Sequence, residues 1–135
     1  MPSRPLLLSL ALLACLAGTG PARAAEWVKV GGSSKLDLYV DRSSITRQGP
    51  RVQADMRTEW KEPQEAARMT YRSSLARDEF DCDQGKSRTL ELTLYPESNL
   101  GGDAVRTGIA PSARWRYAGP ATMAENTLKA VCGMR

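Results

Sequence analysis

Alternation of apolar and polar residues dominates the chain from Trp27 onward. It is clearest from Arg51 to Trp60, where Val52, Ala54, Met56, Thr58 and Trp60 fall on one face. Arg51, Gln53, Asp55, Arg57 and Glu59 fall on the other. A period of two with one apolar face predicts a half-buried antiparallel strand. Shorter runs read the same way: Trp27–Val30; Leu36–Val40, with Leu36, Leu38 and Val40 together; and Lys86–Tyr95, with Leu90, Leu92 and Leu94 together. Met69–Phe80 alternates through Met69, Tyr71, Ser73 and Leu75, with a helix as the alternative for its later part. Asp103–Thr107 and Arg114–Tyr117 are shorter strand candidates, the second with its aromatics inward.

Between these runs lie turn residues. Gly31–Ser34, Gln48–Pro50, Asp81–Gly85, Pro96 and Ser98–Gly102 supply Gly, Pro, Asn, Asp and Ser, which bond locally or bend the backbone. Asp41–Ile45 carries too many locally bonding side chains to continue a strand, and Lys61–Arg68 reads as a polar loop broken by Pro63. One helix closes the chain. Thr122-Met123-Ala124-Glu125 has capping-box spacing, and Ala124, Leu128, Val131 and Cys132 fall at helical intervals on one stripe. Gly133 suits a left-handed helix end. The pattern predicts an α+β fold: a single antiparallel sheet of about six strands, with a C-terminal helix packed on one face.

The first 24 residues differ. Arg4 precedes a nearly unbroken apolar run, Leu6–Ala17, which Gly18–Pro21 breaks before Ala22-Arg23-Ala24. This is the layout of an export signal cleaved at an A-x-A site, with residues 25–135 as the mature domain. The run is about twelve residues, short of the roughly 20 needed to span a bilayer. Leu12-Leu13-Ala14-Cys15 also resembles a lipoprotein box, which would make Cys15 a lipid anchor. Leu13 at the position that favours a small residue, and apolar residues continuing past Cys15, weigh against that reading. The expected location is the periplasm, with an outer-membrane or surface lipoprotein as the alternative.

Removing residues 1–24 takes Arg4 and Arg23 from the 19 basic residues. That leaves 17 against 15 acidic ones, a net +2 in place of +4. So mild a balance gives no reason to expect a nucleic-acid partner. Either N-terminal reading removes Cys15 from the folding problem and leaves two cysteines in an oxidising compartment, where one disulfide, Cys82–Cys132, is expected. Closing a loop of that length contributes on the order of 3–4 kcal/mol.

Candidate chemistry is sparse. The chain has no histidine, so no Ser-His or Cys-His pair can be built. It has no Gly-rich phosphate loop and no C-x-x-C spacing. Glu59, Glu62 and Glu65 suggest paired carboxylates, but a solvated strand end around Pro63 accounts for them more simply. Asp78, Glu79, Asp81 and Asp83 offer oxygen ligands without the spacing of a calcium loop. No enzyme activity, cofactor or metal is therefore expected. Arg114-Trp115-Arg116-Tyr117 is the most suggestive binding element, since Arg114 and Arg116 flank an indole. On a strand, Arg and Trp point to opposite faces, so the simpler account is a core-facing Trp115 with solvated arginines.

One ordered set of features has a counterpart among known families: Trp27 at the start, Leu38-Tyr39-Val40-Asp41 followed by Ser44-Ile45, and a long strand ending in Trp60. Tyr71-Arg72-Ser73, Phe80-Asp81-Cys82, Trp115 before a Gly-Pro turn and Val131-Cys132 on the last helix complete it. Over residues 26–133 the chain resembles the surface-adhesin protein E family of Gram-negative bacteria. The resemblance implies a six-stranded antiparallel sheet with a C-terminal helix. It also implies a protein-binding envelope module, as for the family's namesake, an outer-membrane lipoprotein that binds host matrix and plasma proteins and can form a homodimer. The alternative is a periplasmic structural or inhibitory accessory protein acting on an envelope enzyme. The matching motifs are core and turn residues, so they speak for fold rather than for a ligand.

Overall fold

The computed structural model describes residues 23–66, 68–109 and 113–135. The apolar leader and Cys15 lie outside the described residues. Six strands follow one another as an antiparallel meander: β1 (Trp27–Gly32), β2 (Leu36–Gln48), β3 (Arg51–Ala66), β4 (Met69–Asp81), β5 (Lys86–Tyr95) and β6 (Arg106–Ile109). A two-residue strand, β7 (Arg116–Tyr117), pairs with Lys86 and Ser87 on the same edge of β5 that β6 occupies further along. The helix α1 (Met123–Gly133) lies across β1, β3 and β4. No peptide bond of β4 turns helical, which settles the alternative left open for that segment.

Register explains which residues meet. Val40 faces Met56, Met56 faces Ala76, and Val52 faces Phe80, so one sheet face carries a continuous apolar floor. Leu128 and Val131 of α1 close over it, with Val28, Val30, Leu38 and Ile45 at the margin. Val40, Val52, Ala54 and Val131 have no exposed surface. Burying a Val or Met side chain is worth about 1.5–3 kcal/mol, so this helix–sheet contact is the main source of stability.

Several expectations are corrected. Asp41–Ile45 does not end β2 but forms a bulge inside it, between the pairs Asp41–Asp55 and Thr46–Gln53. The local bonding read from the sequence is real: Asp41 Oδ1 accepts from the Ser43 amide at 2.9 Å and its hydroxyl at 2.6 Å. Ser44 Oγ donates to the Asp41 carbonyl and accepts from the Asp55 amide, replacing a lost ladder bond. Likewise β3 runs through Pro63, because the register shift between Glu59 and Gln64 falls there and no ladder donor is needed. Gly31 and Gly32 extend β1 across a bulge rather than turning it. The short strand expected at Asp103–Thr107 starts later, at Arg106.

The helix is also corrected at both ends. Thr122 Oγ1 accepts from the Glu125 amide at 3.2 Å, as the capping box requires, but Glu125 reaches the amide of Ala121 rather than that of Thr122. Ala124 is exposed, and Thr127, Leu128 and Val131 form the buried face. Gly133 lies within the helix and is not left-handed. The terminal carbonyls are served from elsewhere: the Arg47 guanidinium donates to Cys132 O at 2.8 Å and to Met134 O. A cation at this end also favours the helix dipole. Cys82, directly after β4, is bonded to Cys132 with Cα atoms 5.9 Å apart.

Candidate functional face

The helix covers one side of the sheet. On the other, the polar residues of each strand line up across the meander. Row by row the register sets Tyr39, Arg57 and Leu75 side by side, then Asp55 and Arg77, then Gln53, Glu79 and Arg88.

These side chains are not loose. The Arg57 guanidinium sits between two aromatic rings, 4.8 Å from the Trp27 centroid and 4.5 Å from that of Tyr39, and its Nε is 3.2 Å from Glu59 Oε1. Its side chain is only 13% exposed, although the helix packs on the opposite face. Stacking a guanidinium between rings in this way adds about 0.5–2 kcal/mol per ring as desolvation increases. Asp37 bridges Lys29 at 2.8 Å and Lys61 at 2.6 Å. The Lys29 and Lys61 bonds hold its carboxyl below the usual range. Arg77 binds Asp55 at 3.0 Å and the Ser44 carbonyl at 3.2 Å, tying the β2 bulge to β4.

Glu79 is the hub at one end. Burial pushes its carboxyl up, but bonds from Gln53 and Arg88 and the nearby Arg51 charge outweigh this and leave it lowered. Arg88 lies 2.7 Å and Arg51 3.8 Å from Glu79 Oε1. At the other end the Pro96–Gly102 loop folds over the face. Its backbone is left-handed at both Asn99 and Leu100, a costly arrangement for residues with a Cβ. Glu59 holds it by accepting from the Asn99 amide at 2.9 and 3.1 Å, and Ser73 Oγ accepts from the Leu100 amide while donating to Glu97 O.

The residues singled out from sequence are dispersed. Asp78 and Glu79 point to opposite faces, and Asp81 Oδ1 accepts from the Gln84 amide as a turn residue. No cluster of three His, Cys, Asp or Glu able to hold a metal occurs among the described residues. Glu59 serves the loop, while Glu62 and Glu65 are exposed. Trp115 is not in the apolar core. It lies on the open face, 4.5 Å from the Arg88 guanidinium, 5.0 Å from Lys86 Nζ and 5.1 Å from the Arg51 guanidinium. Tyr117 is 76% exposed, and Arg114 and Arg116 are exposed beside it. The expectation of inward aromatics fails because the register pairs Tyr117 with Lys86 and Arg116 with Ser87, which puts Trp115 and Tyr117 on the open face and Arg116 on the helix side. In the sequence Trp27 and Tyr39 stand out only as family features and Arg57 only as a polar-face residue; alternation gives their facing, but only register shows that they touch.

The family model for surface-adhesin protein E matches residues 27–133. The chain belongs to the surface-adhesin protein E family. Among solved structures, it is similar to protein E of Haemophilus influenzae at 14% identity, over 78% of this chain and 83% of that one, with a TM-score of 0.58. A second crystal form of that protein matches at 17% identity, over 78% and 95% of the two chains, with a TM-score of 0.55. At these identities the likeness concerns the fold. No curated protein matches the chain by sequence. Family members are surface or exported proteins, and the family is not one of enzymes. Among the described residues, no helix is long and apolar enough to cross a membrane.

Proposed function

We propose that this domain is a non-enzymatic, adhesin-like module of the cell envelope that binds another protein through the open face of its sheet. The observation that carries this reading is the Trp27–Arg57–Tyr39 stack. A guanidinium and two aromatic rings are ordered before any partner arrives, on a face that needs no such order for its own core. Arginine and large aromatics dominate binding energy at protein interfaces, and rigid side chains lose less entropy on association. Membership of an adhesin family supports the same reading. An export signal ending at Ala24 would deliver the domain to the periplasm, and lipidation at Cys15 would instead place it on the outer membrane.

The test is direct binding of immobilised residues 25–135 to purified host matrix proteins and to fractionated envelope proteins. A saturable partner is expected, with Tyr39→Ala weakening it at least tenfold and Lys129→Gln, on the exposed side of the helix, leaving it unchanged. No saturable partner from either source sinks the reading. A partner indifferent to Tyr39→Ala moves the site off this face.

A further inference from the structure

Trp115 gathers positive charge. Arg51 at the start of β3, and Lys86 and Arg88 at the start of β5, all reach within about 5 Å of its ring. Among the described residues, Glu79 is the only acid within 4 Å of any of the three, and Lys86 has none. On the neighbouring strand, Arg114 and Arg116 are exposed and likewise have no acid that close among the described residues. Cations do not converge on one ring by mutual attraction. Glu79 bridges Arg51 and Arg88 and the indole's negative face holds all three, while the charge left on Lys86, Arg114 and Arg116 is offset when an anion arrives.

We infer that this corner of the sheet is a binding site for a sulfated polysaccharide, at the opposite end of the open face from the Trp27–Arg57–Tyr39 stack. Three features select that chemistry. The cations span β3 to β5, about 10 Å at two strand spacings, and continue onto β7; this suits a linear polymer with repeated charges. They also wrap around an edge. Arg51, Lys86 and Arg88 share the open face, while Arg116 pairs with Ser87 and takes the helix-side face. A flexible chain can follow that edge, whereas a flat anionic bilayer meets only one side. Finally, the heads are mostly guanidiniums, whose planar forks match the oxygens of a sulfate group.

The test uses size-defined heparin oligosaccharides on the whole mature domain, with desulfated heparin, poly-glutamate and single-stranded DNA of similar length as competitors. Saturable binding to the sulfated form is expected, at least tenfold tighter than to the three competitors. It should weaken steeply with salt as counterions are released. Arg114→Gln with Arg116→Gln should weaken binding about tenfold, and these residues hold nothing else in the fold. Trp115→Leu keeps every charge but removes the ring that arranges them, and should weaken binding several-fold with unchanged circular dichroism. No saturable binding at low salt, equal affinity for poly-glutamate or DNA, or full affinity in both variants would overturn the inference. None of these results touches the Tyr39 test of the protein-binding face.

Discussion

Asp78 is an acid placed on the apolar side of the sheet. It lies on the helix-facing side of β4, in a cleft of about 210 Å³ shared with Leu38, Met56, Phe80, Met123 and Thr127. Thr89 Oγ1 donates to it at 2.7 Å, and no cation lies within 4 Å of it among the described residues. Burial pushes its pKa from 3.8 up to about 6, with the Thr89 bond opposing. The unfolded chain releases this proton near pH 4 and the folded one near 6. Stability from this group is therefore fully present below pH 3.8 and lost as pH rises through 6. Two units correspond to about 3 kcal/mol in all, of which about 1.3 kcal/mol separates pH 5 from pH 7. Few other groups interfere: the chain has no histidine. The lowered carboxyls of Asp37, Asp41, Glu79 and Glu125 contribute stability above their ordinary values and lose it only at more acidic pH. Asp78→Asn keeps an acceptor for Thr89 and removes the titration. Urea midpoints of both proteins from pH 5 to 7.5 should show the variant gaining about 1–3 kcal/mol over the native domain at pH 7.5, with the gap narrowing toward pH 5. A gap that stays constant across that range would refute the reasoning.

Two further outcomes follow from how α1 is held. Cys132→Ser should lower unfolding free energy by about 3–4 kcal/mol, with a reactive thiol appearing at Cys82; an unchanged urea midpoint would remove the disulfide from the stability argument. Arg47→Gln should cost about 1 kcal/mol in thermal or urea unfolding by leaving the Cys132 and Met134 carbonyls without their charged donor. It should leave disulfide formation intact, and a neutral effect would show that solvent serves those carbonyls equally well.

Much of the scaffold was legible because its causes are local. Alternation in Arg51–Trp60, turn residues at Asp81–Gly85 and the Thr122–Glu125 cap each act within a few residues, and each appears where expected. The failures share a different character. Ser44 and Asp41 were read correctly as local bonders, yet whether such bonds end a strand or bulge it depends on the Asp55 amide eleven residues on. Gly133 looked like a helix stop, but a guanidinium from β2 made a left-handed end unnecessary. Leu92, on an apolar repeat with Leu94, is 37% exposed because α1 packs mainly on β1, β3 and β4. The face itself was least legible. Arg57 needs Trp27 and Tyr39 from two other strands, and Trp115 needs Arg51, Lys86 and Arg88. Such sites are products of register, which alternation leaves undetermined.

The bond between Cys82 and Cys132 also decides how the domain carries mechanical load. Residues 82 to 132 form a closed covalent loop containing β5, β6, β7 and nearly all of α1. Tension applied between the two ends of the domain enters at β1, passes through β2, β3 and β4, and leaves through the two sulfurs to the last three residues. The strands inside the loop are off that path. Under pull the β1–β4 ladders would unzip pair by pair, while the corner that carries Trp115 and its cations stays tethered within the loop.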